Sequence, residues 1–109
     1  MVRLFLSLTF LVVLCFGAPA RAATGEETIQ RIIALNAEAS TAFETGDFAR
    51  AAEAGQQAAE LFLTVGPSSH FAYGNILHNL GMAHEALGNY AAAEPLLRRA
   101  LAIAESSKG

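Results

Sequence analysis

The chain has 109 residues, 53% hydrophobic and 16% charged, with 7 basic and 10 acidic side chains and a formal net charge of −3. That balance is too apolar for a disordered chain and offers no basic footprint for nucleic acid. One cysteine, Cys15, excludes an internal disulfide framework and a multi-cysteine zinc site.

Met1–Val2–Arg3 reads as a short positive start, followed by an uncharged run from Leu4 to Phe16 and the small-residue stretch Gly17–Ala18–Pro19–Ala20–Arg21–Ala22. Ala20-x-Ala22 fits small-x-small processing, so residues 1–22 are expected to be a cleaved secretory signal peptide, with Ala18-x-Ala20 as the second choice of site. The apolar run falls short of the ~20 residues that span hydrocarbon as a helix, which argues against an uncleaved anchor. Leu14 stands where a lipoprotein signal wants a small residue before Cys15, so Cys15 reads as part of the apolar run. Cleavage leaves 23–109, with five basic and ten acidic residues. Such an acidic domain has no electrostatic reason to bind nucleic acid or anionic lipid. It is expected to be periplasmic or secreted, without stable membrane insertion.

The remainder is alanine-rich, which favours helix, and it is broken at Gly46–Asp47, Gly66–Pro67–Ser68–Ser69 and Gly88–Asn89. These breaks define four helical segments and no strands. Thr24-x-x-Glu27 reads as a capping box opening the first helix, and Gly46 suits the left-handed position that ends it. Asp47 is positioned to cap the second helix, Ser68 or Ser69 the third, and Asn89 the fourth, after Gly88 closes the third.

The chain repeats itself at a shift of 42 residues. Leu35 falls on Leu77, Gly46 on Gly88, Ala49 on Ala91, Ala51 on Ala93 and Ala58 on Ala100, while Asp47–Phe48 meets Asn89–Tyr90. Each unit is a helix, a tight turn with an aromatic, and a second helix, with repeat one at about 25–65 and repeat two at about 69–106. Alanine at the crossings lets paired helices approach closely.

The second unit resembles a tetratricopeptide repeat, through Leu77, Leu80–Gly81, His84, Gly88, Tyr90, Ala93, Leu97 and Ala100–Leu101. Its Tyr90–Ile103 stretch and the linker Gly66–Pro67–Ser68–Ser69–His70 are similar to the kinesin-light-chain type, although this linker is one residue longer. In the first unit, Glu38 stands where a leucine is expected and Gly55 where a large apolar residue belongs. The resemblance implies an all-α fold, two antiparallel helix pairs forming a short right-handed solenoid. It also implies that the first helix of each pair lines a concave groove.

Catalytic and metal chemistry find little footing. His78 and His84 are six residues apart and point to different helix faces, whereas zinc on one helix wants ligands at i and i+4. His84 takes the slot usually held by tyrosine, and His70 is expected to orient or cap the third helix. Ser68–Ser69–His70 places hydroxyls beside an imidazole in sequence only, and no nucleophile elbow or phosphate loop is present. No enzyme activity, cofactor or metal is expected.

On the third helix, Leu77, Leu80, Gly81, His84 and Leu87 form a stripe expected to be buried. Asn75, His78, Asn79, Met82 and Glu85 form an adjoining polar stripe, expected to be the peptide-binding groove. Asn79 matches, by resemblance, the asparagine that clamps a ligand's backbone. On the fourth helix, Ala93, Leu96, Leu97, Ala100, Leu101, Ile103 and Ala104 cover more than one stripe. Leu96, Leu97, Leu101 and Ile103 are therefore expected to meet a partner or a second copy, with a two-fold homodimer as the default. The sequence supports an adaptor or scaffold that binds protein or peptide, alternatively an assembly subunit, or a fragment of a longer repeat protein.

Overall fold

The computed structural model describes residues 23–108. The signal-peptide and Cys15 expectations lie outside the described residues. Four helices follow one another: α1 (Gly25–Glu44), α2 (Phe48–Phe62), α3 (Phe71–Ala86) and α4 (Tyr90–Lys108). There is no strand among the described residues.

Local chemistry sets the helix ends. Thr24 accepts the Glu27 N–H through its hydroxyl at 3.1 Å, opening α1, and Asp47 accepts the Arg50 N–H at 3.2 Å, opening α2. Gly46 and Gly88 adopt φ of 87° and 79°. Around Gly46, the Asp47 N–H donates to the Ala42 carbonyl at 2.8 Å and the Gly46 N–H to the Phe43 carbonyl at 3.1 Å. The same two bonds recur 42 residues later, from Asn89 to His84 and from Gly88 to Glu85. Both intra-repeat turns are therefore Schellman motifs, which satisfy the last carbonyls of the preceding helix.

At the inter-repeat linker the structure decides between the expected caps. Neither Ser68 nor Ser69 caps α3; His70 does, accepting the Ala72 N–H through Nδ1 at 3.1 Å. Its ring stacks on Phe71 at 4.6 Å and lies 5.7 Å from Phe62, which in turn stacks on Tyr73. These rings fix the imidazole at the helix start, while the Ser68 carbonyl accepts from the Arg99 guanidinium at 3.3 Å. Asn89 precedes α4, but its amide Nδ2 reaches back to within 3.3 Å of His84 Nδ1.

Successive helices pack as neighbours, α1 on α2, α2 on α3 and α3 on α4, with α1 and α3 also in contact. Most of the buried apolar residues are alanines. One core cluster joins Ile32, Leu35, Ala58, Ile76, Leu77 and Ile103; the other joins Ala42, Ala51, Leu80 and Ala83, and Leu96 packs against both. Leu77, Leu80 and Gly81 are buried as the stripe requires, and His84 is half-buried. Leu87 is not: it is 48% exposed, because it already stands at the Schellman turn, past the last turn of α3.

The two departures in repeat one have structural reasons. Glu38 lies on the outer side of α1 and pairs with Arg50 of α2 at 2.6 Å. Gly55 faces α3, where an added Cβ would stand 3.3 Å from Leu80 Cδ1. The missing side chain is what lets α3 settle on α2.

Candidate functional site

Two hollows along helix α3 take in the polar stripe. The smaller, about 210 Å³, lies between α1 and α3 and is lined by Ala39, Ser40, Phe43 and Glu44 on one wall and by His78, Asn79 and Met82 on the other. The larger, about 590 Å³, lies between α3 and α4, where Asn75, His78, Met82 and Glu85 face Leu97, Leu101 and Ala104 across a floor that includes Gly74 and Ala100.

The five-residue polar stripe is therefore shared between two concavities. Asn79 opens on the α1 side, Asn75 and Glu85 on the α4 side, and His78 and Met82 on both. The reason is angular. From Asn79 to Glu85 these residues sweep about 120° of the helix surface, more than one cleft can contain. In the α1–α3 cleft, Asn79 is half-buried and brings an amide donor and acceptor to a mixed wall of Phe43, Met82 and Glu44. Such a wall suits an extended backbone with apolar or basic side chains.

The resemblance implied a place for α1 in the groove, but its residues were not singled out in the sequence, although the repeat locates them. A 42-residue shift places Ser40 under Met82 and Phe43 under Glu85. The residues expected at a partner face also separate. Ile103 is 2% exposed and packs against Gly74, and Leu96 is turned into the core. Leu97 is half-buried at the edge of the larger hollow, and Leu101, 59% exposed, stands free beside it.

The imidazole of His70, beside Ser68 and Ser69 in sequence, is engaged in its capping bond and its ring contacts. Among the described residues no group of three His, Cys, Asp or Glu side chains is placed to hold a metal ion. No helix among them is long and apolar enough to cross a membrane.

In comparisons with known proteins, the profile described as tetratricopeptide repeat matches residues 30–106. That span takes in most of both helix pairs and every residue lining the two hollows except Ser107. Neither a curated protein nor a solved structure matched the sequence.

Proposed function

Because the chain belongs to the tetratricopeptide repeat family, whose repeats serve protein–protein interaction, we propose that it is an exported, non-enzymatic adaptor that holds a protein or peptide segment in the cleft between α1 and α3. The observation that carries the reading is the pairing of the half-buried Asn79 amide with the apolar Phe43 and Met82 in one concavity. An amide there pairs with both the donor and the acceptor of an extended backbone, and the apolar walls take alternate side chains. Binding is non-covalent and needs no cofactor. Export rests on Arg3, the Leu4–Phe16 run and Ala20-x-Ala22.

Two measurements test it. Intact mass of the natively expressed protein is expected to place the new N-terminus at Ala23; a full-length cytosolic species refutes export. Cross-linking in the exported compartment, followed by titration of the captured segment as a synthetic peptide, is expected to show binding that Asn79→Ala and Phe43→Ala each weaken. A peptide whose affinity ignores both substitutions does not use this cleft.

A second reading, an assembly subunit, is favoured by one feature: Leu101 and Phe71, 59% and 61% exposed, flank the larger hollow at the α3–α4 end.

A further inference from the structure

We propose that the α3–α4 face receives a second copy of this chain, related by a two-fold axis. Such pairing gives the assembly reading a definite occupant and owes nothing to the peptide cleft.

The first repeat shows how a helix is received in this fold. Helix α3 turns Ile76, Leu80 and Ala83 toward the α1–α2 pair, with Tyr73 packed alongside. A shift of 42 residues places Ala34, Glu38, Thr41 and Arg31 at the corresponding positions of α1. Glu38 is engaged with Arg50, and Arg31, Glu53 and Gln57 line the same outer side. Stacking α1 of one copy on the α3–α4 face of the next would bury these charges against leucine, at a cost that the contact does not return. Head-to-tail addition is therefore disfavoured.

The second repeat is also not prepared for a further helix in the register that α3 adopts. In repeat one, Gly55 leaves a slot that Leu80 of α3 occupies. The counterpart of Gly55 is Leu97, whose own side chain lies over Gly81, so the slot is filled from within the repeat.

What the face does offer is both halves of a contact. Leu101 and Phe71 project beside a hollow floored by the small residues Gly74 and Ala100. A two-fold contact requires one patch to carry projection and socket together, and this patch does. Its rim continues into a neighbouring hollow lined by Glu85, Glu94 and Arg98, in which Arg98 pairs with Glu94 of its own helix. A two-fold rotation can set the Arg98–Glu94 pair of each copy beside Glu85 of the other, so that Arg98 bridges two carboxylates across the contact.

Sedimentation equilibrium of the protein, as processed by the cell that expresses it, reads the outcome up to roughly 1 mM. A monomer–dimer equilibrium is expected, with Leu101→Glu weakening it at least about tenfold, as for a buried interface anchor. Circular dichroism should stay unchanged, because Leu101 is exposed in the single chain. Arg98→Glu is expected to weaken the dimer and Glu85→Arg in the same chain to restore it, a readout that survives if Leu101→Glu misfolds. A folded monomer throughout the range overturns the proposal. So does a species that grows beyond the dimer, or a dimer indifferent to all of these changes. Asn79 lines the peptide cleft and not the larger hollow, so the effect of Asn79→Ala on peptide binding reports on the cleft reading separately from the dimer.

Discussion

The Leu97 side chain covers Gly81 so closely that a Cβ built on Gly81 would lie 2.7 Å from both its Cγ and its Cδ2. Helix propensity alone favours alanine over glycine at a mid-helix site by about 1 kcal/mol. Overpacking costs about 1–3 kcal/mol, and the clash reaches Cγ rather than only the flexible tip. Packing is therefore expected to win: Gly81→Ala should destabilise the fold by about 1 kcal/mol. Adding Leu97→Ala should give less loss than the sum of the two single changes, a coupling that denaturant titration of the double-mutant cycle measures.

A Cβ added to Gly46 or Gly88 would meet no heavy atom within 4 Å, yet both residues have positive φ. Their replacement by alanine is expected to cost about 1–2 kcal/mol each through backbone conformation alone. Asparagine should cost less than alanine at both sites. Equal losses for alanine and asparagine in thermal melts would contradict a left-handed origin.

His70→Ala removes the acceptor that opens α3 together with the ring contacts to Phe62 and Phe71. The capping share is expected to be about 1 kcal/mol. His70→Asp restores an acceptor without restoring the ring, so its stability should fall between alanine and the parent. Urea midpoints of the three proteins check the order.

For the cleft, Asn79→Ala is expected to weaken peptide affinity by about 1–3 kcal/mol, the cost of leaving a desolvated backbone group unpaired. Helicity should not change, since Asn79 lies at the edge of the core rather than within it. Calorimetric titration and far-ultraviolet dichroism on the same samples separate the two effects.

The fold was legible where a single residue type answers a local requirement. Only glycine enters the left-handed region without strain, so Gly46 and Gly88 marked both turns, and the 42-residue shift fixed which helices correspond. The start of α3 was legible only as alternatives, Ser68, Ser69 or His70. Serine is the better cap by type, but contacts with the Phe62 and Phe71 rings hold His70 at the position, and which rings meet depends on how the linker folds. The candidate site was half legible. The α3 stripe follows from helical spacing, whereas its division between two hollows depends on where α1 and α4 lie. Ile103 and Leu96 looked like partner-facing residues for the same reason: periodicity shows how wide an apolar surface is, not which part its own repeat covers.

His78 and Met82 stand in the walls of both hollows. The two concavities therefore share two side chains, and an occupant of one that fixes their rotamers fixes them for the other as well. Where that choice alters the free energy of the second site, linkage makes the influence reciprocal: peptide would shift the self-association equilibrium by the same factor by which self-association shifts peptide affinity. A helix set between two clefts in this way acts as a thermodynamic partition, joining them as firmly as it separates them.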